Sequence, residues 1–543
     1  MSEKNQDAKI AQLEARIARL EALLKVQPPP VMTGSEPVPD TPPSGTKKAE
    51  NLEFQIGQFW LAKTGIIILT IGFAFLLTFP YQAISPSLPS LIGLVLAVML
   101  YGLSHLWRKS YVLISGYLLG CAFLLLYFSA LRLYFFGEEP LIGTPAAETM
   151  ILTVVVAFTL YIAISKKSVF LSAISLTLGF ITGLINGQAY FIFILNCFLS
   201  LAAVLLYIRL NWHSLLSYTI FLTYLCHIIW FLNNPVMGNR MAFVASPESN
   251  ILFILVYVII FAAGTLFRNG AIPENNQVIA TGFFNAAGGF SLLLLVTLAK
   301  FQSVIFIYHL AGSVVFLSLS IWFWIKEESK VSTFFYAIAG YSTLSIALIA
   351  HFENPDYFIM LSWQSILVIS TAIWFRSKFI IVANFIIFLV IFMVYLILSR
   401  NVDAGGLSFG IIALISARVM NWQKNRLDLK TEAMRNAYLA GALIMFPYAL
   451  YHIVPERYIS LSWIGIALIY YLLGHVLKNV KYRWMALITL LGTVIYILFI
   501  GTIRLEPGLR ILTFILLGLV LLTTSFIYTR LRSKSSEKIE GKK

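Results

Sequence analysis

From Trp60 onwards the chain is one membrane-length apolar run after another. The first, residues 60–79, reads WLAKTGIIILTIGFAFLLTF. About 20 apolar residues at ~1.5 Å rise each are enough to cross a hydrocarbon layer of ~30 Å. Run length predicts about 18 spans, near 60–79, 88–107, 111–134, 146–165, 169–187, 189–208, 214–232, 249–267, 277–299, 303–325, 331–350, 358–375, 379–399, 406–423, 432–452, 459–477, 482–503 and 508–530. The expected fold class is therefore all-α: a polytopic integral membrane helical bundle, residues 51–531. Composition agrees. Only 12% of residues are charged and 59% are hydrophobic, and a soluble domain carries roughly twice that charged fraction.

The net charge of +15 raises the question of nucleic acid, and its distribution argues against it. With the N-terminus in the cytoplasm, the predicted inner loops and the tail hold about 32 lysines and arginines, and the outer side about 7, the bias that orients membrane helices. A missed or false span in the middle would invert the bias downstream, and it does not invert. Both termini are expected in the cytoplasm. Trp107, Trp324, Trp374 and Trp422 flank the inner turns as an interfacial belt. Cys121, Cys197 and Cys226 all fall inside predicted spans with no CxxC partner, so neither a disulfide framework nor a metal site is expected, and no cofactor motif is present. The N-terminus lacks the apolar region of a cleavable signal peptide, so residues 60–79 are expected to act as an uncleaved targeting segment.

Residues 1–26 predict a short cytoplasmic coiled-coil helix. Ile10, Leu13, Ile17, Leu20 and Leu24 recur at 3-4 spacing, and Ile at a with Leu at d favours a parallel pair. This is where a homodimer contact or a partner is expected. With about two heptads, a weakly ordered amphipathic helix is the competing reading. Residues 27–50 carry seven prolines between Pro28 and Pro43 and predict a disordered linker. Residues 532–543 form a basic cytoplasmic tail. Within the membrane domain, Leu361-Ser362-Trp363, Leu407-Ser408-Phe409 and Leu461-Ser462-Trp463 each open an inward-running span, which suggests an array of similar helical hairpins.

The start of the membrane domain carries a resemblance. Ile56-Gly57-Gln58-Phe59-Trp60-Leu61, then Lys63-Thr64-Gly65-Ile66 and Ile71-Gly72-Phe73-Ala74-Phe75, resembles the bacterial predicted membrane proteins of domain-of-unknown-function family 2339. Gly116-Tyr117-Leu118-Leu119-Gly120 and Leu178-Gly179-Phe180-Ile181-Thr182 are similar to later segments of that family, although Gly183 stands where the family usually has proline. The resemblance extends over residues 50–400. It implies a bacterial inner-membrane protein with many helices and brings no catalytic residues with it.

The predicted spans hold no carboxylate at mid-membrane, where ion-coupled carriers commonly keep one, and the chain has no Walker A loop. The outer side carries Glu138-Glu139, Glu148, Glu353, Asp356, Asp403, Glu456 and Glu506. Counting ~1.5 Å per residue, Asn196, His227, His309 and Gln364 lie at similar depth below the outer surface, with Asn285 and Asn384 on the inner side. One reading joins the first four into an outward-facing, substrate-binding polar pocket. The other makes each a separate interhelical hydrogen bond. Three functions follow as expectations. The leading one is non-enzymatic: binding or translocation of a lipid-like or envelope-precursor substrate, with membrane lipids as partners. The second is a membrane glycosyl- or acyl-transferase using Glu138, Glu139 or His309. The third is a scaffold recruiting partners through its coiled coil. Topology is testable first. With the native cysteines replaced, Lys167→Cys should react with a membrane-impermeant maleimide only after permeabilisation, and Glu353→Cys in intact cells; the reverse pattern overturns the orientation.

Overall fold

The computed structural model describes residues 87–135, 141–267, 276–327, 329–398, 404–422 and 431–497, besides a few isolated positions. These belong to one compact unit, Thr70–Lys543. The predicted coiled coil, the proline-rich linker, the first and last predicted spans and the tail lie outside the described residues. Among those described, every regular element is a helix. Inside hydrocarbon no water replaces a missing backbone hydrogen bond, and a helix satisfies all of its own.

The long helices are α1 (Ser87–Trp107), α2 (Val112–Leu131), α3 (Pro145–Ser165), α4 (Val169–Asn186), α5 (Ala189–Leu210), α6 (His213–Phe231), α7 (Asn250–Leu266) and α8 (Asn276–Lys300). They continue with α9 (Ile305–Glu327), α10 (Lys330–His351), α11 (Asp356–Trp374), α12 (Lys378–Leu398), α13 (Leu407–Trp422), α14 (Glu432–Ile453), α15 (Ile459–Val476) and α16 (Val480–Tyr496). Each falls on a predicted span. In the described chain, 12 helices are long and apolar enough to cross a membrane, and α7 and α13 are shorter apolar helices. At 17 and 16 residues these two reach only ~24–26 Å. α14 is more polar, carrying Glu432 and Arg435 and an internal Pro447.

Turns are short where the sequence forces them. The α4–α5 connection is residues 187–188, with Gly187 in the left-handed region at φ 72° and its N–H donating to the Gly183 carbonyl. A side chain is strained there. Ser168 caps α4 by accepting from the Leu171 N–H at 3.3 Å.

Each helix packs on the next in sequence and, through much of the chain, on the one after. α5 meets α7, α6 meets α8, α7 meets α9 and α8 meets α10. The result is a two-row array of antiparallel hairpins. Two large apolar cores run along it. One gathers buried side chains from α4 to α10, the other from α10 to α16, and they meet on α10, where Ala339 belongs to the first and Ala337 and Tyr341 to the second. Ser362, in the second turn of α11, and Ser462, in the first turn of α15, both donate to the carbonyl three residues back, at 2.6 and 2.7 Å.

Lipid gives helices no hydrophobic reason to associate, so close backbone approach and buried hydrogen bonds hold them. At Gly340 of α10 an added Cβ would lie 2.7 Å from Leu317 Cγ and 3.1 Å from the Leu317 backbone nitrogen of α9. Asn285 of α8 accepts from the Tyr224 hydroxyl of α6 at 2.7 Å. Its amide donates to the Val258 carbonyl of α7 at 3.0 Å and to the Tyr336 hydroxyl of α10 at 2.7 Å. Gly340→Ala should therefore destabilise by ~1–3 kcal/mol through overpacking. Gly102→Ala in α1, where the new methyl meets nothing within 4 Å, should be neutral or stabilise by up to ~1 kcal/mol. Unfolding of the detergent-solubilised protein measures both, and equal effects would show that packing at Gly340 is not what matters.

Candidate functional site

The polar side chains within the array fall into several settings. Asn196 of α5 is fully buried, beside Tyr257 of α7 and Cys226 of α6, and none of its amide atoms meets hydrogen-bond geometry. His227 of α6 is also fully buried. Its Nε2 lies 3.4 Å from Asn250 Oδ1. Its ring stacks on Phe193 at 5.0 Å and meets Tyr257 edge-on at 5.9 Å. Asn196 and His227 thus share Tyr257 and are walled in by aromatic rings. His309 of α9 stands apart, its Nε2 3.0 Å from Thr297 Oγ1 of α8.

Gln364 of α11 lines a cleft. Its amide nitrogen donates to the Tyr341 carbonyl of α10 at 2.9 Å, and Ser345 donates to its Oε1 at 3.2 Å. Asn384 of α12 donates to Ser365 Oγ of α11 at 2.8 Å. Between α10, α11 and α12 these groups and Ser342 border a cleft of about 110 Å³ whose other walls are apolar, including Val368, Ile387 and Phe388. Ile387 is 56% exposed and Ile338 41%, so the mouth faces the lipid side of the array. A polar lining behind an apolar mouth suits an amphipathic molecule entering sideways from the bilayer. Its size admits a short stretch of such a molecule, since about 10–15 Å³ of such space already holds a water.

Residues 57–405 match the family described as predicted membrane protein (DUF2339). The chain belongs to this family. The DUF2339 match takes in α1 to α12, the cleft with them, and stops just before α13. It begins at Gly57, inside the opening motif that carries the resemblance. No curated protein and no solved structure matches the chain.

Of the four residues expected in one pocket, the structure brings Asn196 and His227 together, sets His309 against Thr297, and gives Gln364 to the α10–α12 cleft. Glu138 and Glu139 lie outside the described residues. Tyr341, Ser345 and Ser365 escaped sequence reasoning because hydroxyls in apolar helices are common and carry no signal of their own. Glu148, grouped by sequence with the outer-side carboxylates, sits in the first turn of α3 at 2% exposure, its oxygens without a hydrogen-bond partner. Tyr127 of α2 lies within electrostatic reach. Nothing in the sequence separates a solvated loop acid from one packed between helix ends.

Gln364→Leu should cost ~0.6–1.7 kcal/mol, the usual range for an interhelical hydrogen bond, because Ser345 keeps its own bond to the Tyr341 carbonyl at 2.9 Å. Asn384→Leu should cost a similar amount. Reversible unfolding in mixed detergent reads both, and a loss far above this range would assign these residues a framework role instead.

Proposed function

We propose that this chain is a multi-pass protein of the bacterial cytoplasmic membrane that binds, and in its fuller role translocates, a lipid-like or envelope-precursor molecule through the α10–α12 cleft. The reading rests on one observation: a cleft with amide and hydroxyl groups of Gln364, Ser345 and Asn384 on its wall and the lipid-exposed Ile338 and Ile387 at its mouth. The amides offer both donors and acceptors for a polar linkage, and the isoleucines suit an attached hydrocarbon chain. The proposal includes the full topology of 18 spans with both termini in the cytoplasm, supported by the distribution of basic residues. Membrane lipids are the partners, and residues 1–26 are where a second copy would join.

The test is photolabelling. A diazirine-bearing lipid incorporated into membranes holding the full-length protein should label α10 to α12 preferentially. Ile387→Trp, which fills the mouth from a lipid-exposed position, should reduce that labelling several-fold while leaving other helices labelled as before. Even labelling over all lipid-facing helices, unchanged by Ile387→Trp, would end the reading.

A further inference from the structure

A second cleft, of about 230 Å³, opens where α1 turns into α2 and α3 turns into α4. Three potential cations or donors border it: His105 and Arg108 at the end of α1, and Lys166, which caps the C-terminus of α3. Arg108 and Lys166 are exposed, and neither pairs with a carboxylate among the described residues. The ion pair among the described residues is Lys481–Glu432, elsewhere in the array. Two like charges sharing one cleft repel each other unless an anion lies between them.

The N-termini of α2 and α4 border the cleft through Val112 and Ser168 and favour negative charge, while the C-termini of α1 and α3 at Arg108 and Lys166 offset them, so the attraction for an anion comes from the side-chain cations. α2 has no side-chain cap: the side chain of its N-cap residue Tyr111 makes no capping hydrogen bond. The floor is fixed beforehand. Ser104 Oγ donates to the Ser115 carbonyl and Ser115 Oγ to the Ser104 carbonyl, both at 2.8 Å, which clamps α1 to α2. The surroundings are apolar and uncovered: Val112 is 70% exposed, Leu113 50% and Phe170 48%. A polar, cationic cleft lies within a greasy surface, at the side that the charge bias assigns to the cytoplasm, where anionic lipids gather.

We propose that this cleft binds the phosphodiester headgroup of an anionic membrane lipid. Arg108 and Lys166 neutralise the phosphate, Arg108 through the paired N–H groups that suit phosphate oxygens. His105 and Tyr101 supply further donors. The acyl chains lie outside the cleft along Val112, Leu113 and Phe170. This site is separate from the α10–α12 cleft and does not depend on the reading given to it.

The experiment uses the full-length protein purified in detergent, titrated in parallel with phosphatidylglycerol, phosphatidylcholine and inorganic phosphate. Native mass spectrometry reads retained lipid, and thermal unfolding reads stabilisation. Phosphatidylglycerol should be retained and should raise the unfolding temperature, with phosphatidylcholine weaker. Arg108→Gln or Lys166→Gln should each weaken phosphatidylglycerol binding about fivefold, and the double variant about 30-fold. The pair Arg240→Gln with Lys300→Gln removes the same charge elsewhere and should leave binding unchanged. Unfolding in phosphatidylcholine alone confirms that each variant is folded, and the single variants decide the matter if the double does not fold. Unchanged phosphatidylglycerol binding in the cleft variants, or an equal loss in the Arg240 and Lys300 control, overturns the site. Equal protection by inorganic phosphate overturns the lipid and leaves a soluble anion as the ligand.

Discussion

Everything in this protein follows from the cost of an unpaired backbone amide in hydrocarbon. A helix pays that cost internally, so each long apolar run becomes a helix and no sheet edge or open loop is tolerated at depth. Once formed, the helices have little to gain from one another, because lipid tails are as apolar as leucine. Association then rests on contacts that lipid cannot imitate. Gly340 lets α9 and α10 approach until Leu317 sits where a methyl would be. Asn285 gathers Tyr224, Val258 and Tyr336 from three other helices around one amide. A single side chain thus ties α6, α7, α8 and α10.

The two-row array explains why the clefts lie where they do. With each helix held by its neighbour and, through much of the chain, by the next one along, apolar surface is buried in two runs that share α10 as their seam. The two clefts described open at a seam and at hairpin turns. The α10–α12 cleft is at the seam, and the basic cleft is at the turns joining α1 to α2 and α3 to α4. Each has exposed apolar side chains beside its polar lining: Ile338 and Ile387 at the first, Val112 at the second.

The described helices were legible to within a few residues at most of their ends. The predicted spans from 88–107 to 482–503 each overlap a described helix, including the pair at 169–187 and 189–208, whose short turn is resolved by Gly187. Run length and Gly carry this information because hydrocarbon thickness is a fixed ruler. The candidate site was legible only in part. Asn196, His227, His309 and Gln364 stand out as polar residues at one depth, and depth along a helix can be counted. The rotation of a helix about its axis cannot be counted in a span that is apolar on every side. That is why four residues at similar depth separate into different contacts, and why Tyr341, Ser365 and the buried Glu148 gave no warning.

The sequence alone determined that this is a many-helix membrane protein, where its helices begin and end, and which family it resembles, because each of these depends on apolar length and short local motifs. Only the tertiary structure decided which polar groups meet. Gln364 comes to Tyr341 and Ser345, Arg108 and Lys166 come to border one cleft, and His309 is set against Thr297 instead. Those encounters are set by how helices rotate and pair, which depends on glycine contacts and amide hydrogen bonds between spans far apart in the chain.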